Sequence, residues 1–380
     1  MASDDVLIVS WAGGGNLPPL LAAGRLLAAR DHRVCVLASA ATRQPAADAG
    51  FDVVGYDRAP NPEMETAFEQ QAAQLMATAA GPEIAHDVRD VAAELKPGLM
   101  VVDCMLPAGI AAGESTGTPT ASLVHFPYGL ARTQMLRGAG AWTTDRAQLN
   151  ITRSRLGLKP ASDDIAVWES VELLLVTVPK WFDLDTEYPA NVVHAGPLGV
   201  NRGSREASAD RRPRLLLSFS TTVMHGQITL IQRVCDALAD QALEAVLTLG
   251  PAVSAESIDV PPNVEPVLYA DHDRLLAHTD AVITHGGLGT TLRALAHGKP
   301  LLLLPLGRDQ AFNAKRVVEL GAGLHLGVDS TPDDIASALL ELLDRPAFTN
   351  AAEDAAAAIA RDRPDETAAA ALSGLCRLAR

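Results

Sequence analysis

Residues 280–295 read DAVITHGGLGTTLRAL, and residues 299–313 read KPLLLLPLGRDQAFN. An apolar run stops at Thr284, a histidine and two glycines turn the chain, and Gly289 and Thr290 open a helix. Backbone N–H groups at a helix N-terminus are free and carry partial positive charge, so such a turn suits a pyrophosphate. Gly287 and Gly289 would let phosphate oxygens approach the backbone, while His285 and Thr290 could add side-chain donors. Taken alone, a G-G-x-G turn is equally well read as a plain strand-to-helix connection. A second glycine loop, WAGGGNLPPLLAAG at residues 11–24, sets Asn16 between three glycines and an amphipathic run. Its chemistry depends on what an amide does there.

Both loops fall where a strand gives way to a helix. In the first half, Val6–Ser10 and Val34–Ala38 are short apolar runs flanking leucines at helical spacing. Glu83–Leu95 then reads as helix, Leu99–Asp103 as strand, Pro107–Ser115 as helix and Thr120–Val124 as strand. The second half repeats the alternation, with strands at Leu215–Phe219, Ala245–Leu249, Ala281–Thr284 and Leu301–Leu304. Strands alternating with helices predict doubly wound parallel sheets. At 380 residues the chain exceeds one core, which predicts an α/β protein of two Rossmann-like domains facing a central cleft. The polar, charged stretch NRGSREASADRRPR at 201–214 marks the junction. The expected division is a domain over 1–205, a linker over 206–213, a domain over 214–350, and C-terminal helices over 351–380 that pack back toward the first domain. Gly55–Ala80 reads as a loop and a polar helix that could wall the cleft.

Composition narrows the partners. A formal net charge of −15 argues against a nucleic-acid or anionic-membrane surface. No run of 18 apolar residues and no basic leader precede or interrupt the domains, so we expect a cytoplasmic protein without membrane insertion, as monomer or homodimer. Cys35, Cys104, Cys235 and Cys376 are widely spaced in mostly apolar runs and read as reduced core residues.

The segment 285–313 resembles the nucleotide-sugar signature of family 1 glycosyltransferases of the GT-B fold. It has His285-Gly286-Gly287-Leu288-Gly289-Thr290, then Gly298-Lys299-Pro300 running to Pro305, then Asp309-Gln310 with Asn313. The resemblance implies that Ser220 and Thr221, in LLLSFST at 215–221, meet a donor diphosphate. It further implies that Tyr269 lies beside the nucleotide base and that Asp309 and Gln310 bond the sugar hydroxyls. Asp271 stands where the family commonly has proline. The implied donor is a TDP- or UDP-activated sugar, acting as substrate with no cofactor, and the implied acceptor is a small hydrophobic natural-product aglycone. No D-x-D pair is read as a metal holder. Leaving-group charge would fall to the helix dipole, His285, Ser220, Thr221 and Thr290.

Gly15-Asn16-Leu17-Pro18-Pro19 resembles the family's acceptor-side G-H-x-x-P loop, with asparagine in the place of the usual base. Inverting transfer requires the acceptor hydroxyl to lose its proton as it attacks, and an amide has no useful basicity. Asp103, ending the strand Leu99–Asp103, resembles the carboxylate that orients that base. Three readings stay open. In the first, the acceptor brings its own acidity and Asn16 orients it. In the second, His125, His225 or Asp103 is the base. In the third, the protein binds a nucleotide sugar and transfers poorly, as an auxiliary to a partner.

Overall fold

The computed structural model describes residues 5–11, 14–61, 68–136, 145–201 and 211–378. The chain forms two compact units, one built from Met1–Glu63, Gln70–Gly199 and Asp362–Arg380, the other holding Val200–Arg361.

The first unit contains β1 (Asp5–Val9), β2 (Arg33–Ala38), β3 (Asp52–Gly55), β4 (Leu99–Asp103), β5 (Thr120–Val124), β6 (Leu173–Val176) and β7 (Val192–His194). Their order across the sheet is 3-2-1-4-5-6-7, and every pairing is parallel. Strands covered on both faces need unbroken apolar runs, and β4 (LMVVD) and β5 (TASLV) are buried at every position. The order reverses direction between β1 and β4, which opens a crevice at the C-terminal edge of those strands.

The loop after β1 passes through Gly14 at φ +106° and enters the helix Leu17–Ala28, whose first turn carries Pro18 and Pro19. That helix lies close on the sheet: a Cβ at Gly24 would stand 2.8 Å from both Ile8 Cδ1 and Phe51 Cζ. The last helix, Pro364–Leu378, closes the same core, where Ala368, Leu372 and Leu375 pack in one cluster with Leu20, Leu21, Ile8 and Leu99.

The second unit contains β8 (Arg214–Ser218), β9 (Glu244–Thr248), β10 (Val264–Val267), β11 (Ala281–Thr284), β12 (Leu301–Leu303) and β13 (Gly323–His325). The order is 10-9-8-11-12-13, again parallel throughout, with its reversal between β8 and β11.

The division differs from the expected one at two places. The chain enters the second unit at Val200 rather than after 205, because Asn201 N–H donates to Asp273 Oδ2 at 2.9 Å. Burial alone would raise the Asp273 pKa, but His297, the Asn201 N–H and Arg293 outweigh it and bring the carboxyl down to about 2. The segment 351–380 also does not move as one: the helix Pro346–Asp362 stays with the second unit, where Phe348 sits in its core and Glu353 meets Gly298. The expected linker residues 206–210 lie outside the described residues, as do 62–67 of the segment expected as a cleft wall; its helix spans Phe68–Ala79. All four cysteines are buried, and none forms a disulfide.

Because Leu372 is fully buried against the first helix, Leu372→Ala should cost about 2–5 kcal/mol and lower the urea midpoint of the full chain. An unchanged midpoint would mean that the last helix contributes little to the first unit.

Candidate active site

The crevice of the first sheet is occupied by a carboxylate with three partners. Register sets the spacing: β4 pairs with β5 so that Asp103 stands opposite Leu123, and β1 pairs with β4 so that Val9 stands opposite Val102. His125 follows the end of β5 and Asn16 follows the loop after β1, so both reach the end of β4. Asp103 is 1% exposed. Its Oδ1 lies 3.2 Å from His125 Nε2 and accepts the Met105 N–H at 2.9 Å, while its Oδ2 accepts from Asn16 Nδ2. Burial pushes the Asp103 pKa up. The His125 charge and hydrogen bond, the Asn16 amide and the Met105 N–H together overcome that and hold it below the ordinary carboxylate value. Asp103 is therefore ionised at neutral pH and a weak base, which disfavours it as proton acceptor.

Asn16 does not do what an asparagine before a helix commonly does. Asparagine is among the preferred N-caps, yet this one has helical backbone angles (φ −82°, ψ −28°) and makes no side-chain cap bond. Its amide is turned to Asp103 instead.

His125 is the imidazole that Asp103 orients. Its side chain is 16% exposed, its ring meets Phe126 edge-on at 5.2 Å, and Nδ1 has no hydrogen-bond partner among the described residues. A carboxylate-bound Nε2 fixes the tautomer and leaves Nδ1 to accept a proton. His225 is exposed on the turn before the helix Gln227–Leu238 and has no carboxylate partner among the described residues. The structure thus separates the two histidines that the sequence left equal. Tyr56 was not anticipated. Its hydroxyl donates to Ser10 O at 3.1 Å, and burial, Asp103 and Asp87 raise its pKa well above the usual phenol value.

Asp103, Cys104 and His125 also offer three metal-ligand atoms within 4.8 Å of one another, the one such group among the described residues. Both carboxylate oxygens already hold hydrogen bonds, and burial with the Asp103 charge keeps the Cys104 thiol protonated. A cation there would have to displace a proton and the His125 bond. Two D-x-D spacings do occur in the chain, Asp183–Asp185 and Asp271–Asp273. Neither forms a cation cradle: Asp183 accepts from Gly129 N and pairs with His194, Asp271 caps the helix His272–Ala277, and Asp273 holds Arg293 and His297.

The second unit carries the glycine turn at its own switch point. His285 follows β11 and is 7% exposed. Burial brings its pKa down to about 4, with the Arg308 charge adding to the effect and a Ser218 backbone bond opposing it. The ring is neutral at pH 7, so it carries a single N–H, and the Ser218 backbone engages it. Gly286 takes φ +85°, and a Cβ at Gly287 would stand 2.7 Å from His285 Nε2, so the turn fits only without side chains. The helix Leu288–Ala296 begins there with no side-chain cap. At Gly289 a Cβ would meet nothing within 4 Å, so the glycine serves no packing need and leaves open space beside the helix N-terminus. Thr290 Oγ1 lies 3.3 Å from Ser218 Oγ.

The other residues anticipated from sequence are distributed unevenly around this turn. Ser220 is buried, with Oγ 2.9 Å from Thr222 Oγ1 and accepting the Thr222 N–H at 3.1 Å, while Thr221 is exposed. Gln310 is 2% exposed, and its Oε1 accepts the N–H groups of Leu306 and Gly307 at 2.7 and 3.0 Å. Its carboxamide holds the turn rather than facing outward. Asp309 Oδ2 accepts from Asn313 Nδ2 at 3.0 Å, and Asn313 also donates to Gly286 O at 2.9 Å. Tyr269 is 86% exposed at the end of β10. Ser218, Thr222 and Arg308 went unnoticed in the sequence; only the doubled threonine after Ser220 hinted at the second of them.

Residues 232–373 match the erythromycin biosynthesis protein CIII-like C-terminal domain. Aclacinomycin-T 2-deoxy-L-fucose transferase of Streptomyces galilaeus is 29% identical over 327 residues, 80% of this chain and 72% of that protein. A sterol 3-beta-glucosyltransferase of Neosartorya fischeri is 27% identical over 203 residues, 48% of this chain but 14% of the relative's length. Among solved structures, the glycosyltransferase VinC in complex with dTDP superposes with a TM-score of 0.73 at 23% identity, covering 99% of both chains. Residues 232–373 thus match the erythromycin biosynthesis protein CIII-like C-terminal domain, on a chain with the GT-B fold.

Proposed function

We propose that this protein is an inverting glycosyltransferase that moves a sugar from a TDP- or UDP-activated donor to a hydroxyl of a small hydrophobic natural-product acceptor, without a metal. The observation that carries the reading is the Asp103–His125 pair at the C-terminal edge of the first sheet, in a chain whose second unit holds the glycine turn. The dTDP bound to VinC and the sugar transfer named for the aclacinomycin relative support the choice of donor and acceptor classes.

In this mechanism the acceptor hydroxyl gives its proton to His125 Nδ1 as its oxygen attacks the anomeric carbon, and the nucleoside diphosphate leaves with the bonding electrons. Asp103 stabilises the imidazolium that forms, and Asn16 keeps the carboxylate ionised and aimed. The helix N-terminus at Leu288–Thr290 takes up the leaving-group charge. The low Asp103 pKa favours His125 over the unaided acidity of the acceptor, because an ionised carboxylate stabilises imidazolium directly. The test is product formation by the full chain with TDP- and UDP-sugars and a panel of phenolic and polyketide acceptors, with a chelator present. No product from any combination would refute the proposal.

Two variants follow from the geometry. His125→Gln should lower kcat by about 10²–10⁴-fold with donor KM unchanged, and Asn16→Ala by only about tenfold, both measured at saturating donor. Equal activity in His125→Gln and the parent chain would remove His125 as the base. Since Gly289 faces open space, Gly289→Val should leave the melting temperature unchanged while weakening TDP and UDP binding at least tenfold. Unweakened binding, measured by calorimetry, would put the diphosphate elsewhere.

A further inference from the structure

We propose that Arg308 is the cation this protein sets against the diphosphate of its donor, a role that rests on the second unit being the donor-binding unit. Three segments build the turn region: Phe219–Gln227 after β8, Thr284–Thr291 after β11, and Pro305–Asn313 after β12. Arg308 is their sole lysine or arginine. A nucleoside diphosphate leaves with more negative charge than the donor sugar nucleotide carries, so a cation here acts most strongly in the transition state. His285 cannot supply it, being buried and neutral at pH 7.

The position of Arg308 is built from both sides. Its Nη2 donates to Thr222 Oγ1 at 3.1 Å, and Thr222 Oγ1 lies 2.9 Å from Ser220 Oγ, so the guanidinium is tethered to the turn after β8. On its own strand-to-helix loop, Gln310 Oε1 holds the Leu306 and Gly307 N–H groups and Gln310 Nε2 lies 3.4 Å from Met224 Sδ. The side chain itself is exposed, and its planar fork matches two phosphate oxygens at once.

Backbone conformation gives an independent reason. Arg308 takes φ +56°, a region that side chains rarely adopt and glycine adopts freely. Glycine would therefore be the cheaper residue, and Gly307 stands next to it. An arginine held in that conformation is retained against local preference, which fits a side chain needed for binding.

The test uses calorimetry on the full chain with TDP, UDP and the corresponding nucleoside monophosphates, comparing the parent with Arg308→Gln, Arg308→Lys and Arg308→Gly. Arg308→Gln and Arg308→Gly should weaken diphosphate binding about 10- to 100-fold and collapse its advantage over the monophosphate, with Arg308→Lys keeping part of it. Arg308→Gly should melt no lower than the parent, because it relieves the positive φ, so its loss of binding reports the missing charge and not a damaged fold. Diphosphate binding within twofold of the parent in both Arg308→Gln and Arg308→Gly would overturn the inference and leave the donor-unit reading intact. A parent chain that binds neither diphosphate would overturn both.

Discussion

The arrangement of the first unit turns on one buried carboxylate. Asp103 ends a strand enclosed on both faces, where an ionised group is costly unless hydrogen bonds meet it. Met105 N–H, Asn16 Nδ2 and His125 Nε2 meet it here. Removing any one would return the carboxyl toward the raised pKa that burial alone imposes. The constraint works in both directions: the carboxylate needs these donors, and by accepting from them it fixes an imidazole whose other nitrogen is directed away from it.

This is how a loop that carries an amide can share one carboxylate with a histidine from another strand end. The parallel register brings the loop after β1, the end of β4 and the residue after β5 to one edge. Any of those three positions can deliver a side chain to the carboxylate. In this chain the amide comes from the first position and the imidazole from the third. The cost is a helix that begins without its asparagine cap, with Pro18 and Pro19 helping to set the first turn.

Much of the architecture was readable from residues alone. Runs such as LMVVD at β4 and AVIT at β11 are continuous and largely apolar because both faces are covered, with Gly98 just before the first and Gly286 just after the second. The strands that were missed are short or atypical. β10 (VEPV) carries a glutamate and a proline, β3 (DVVG) has four residues and ends in glycine, β7 and β13 have three residues each, and β6 (LLLV) is a run that periodicity cannot assign to strand or helix. At the site, residue types and spacing pointed to the turn at His285, and the family resemblance to Asn16 and Asp103. They could not choose between His125 and His225, because a histidine becomes a base through a partner distant in sequence. Nor could they reveal that Gln310 is spent holding its own turn, or that Arg308 lies beside Thr222, since both depend on contacts between separate loops.

The central claim is that Asp103 orients His125 through Nε2 and leaves Nδ1 as the proton acceptor. Nitrogen-15 NMR of histidine-labelled protein, with His125 assigned by its loss in His125→Gln, reads the tautomer directly. The account predicts that neutral His125 carries its proton on Nε2, with that preference weakened in Asp103→Asn. A His125 protonated on Nδ1, or one whose tautomer is indifferent to Asp103→Asn, would contradict it.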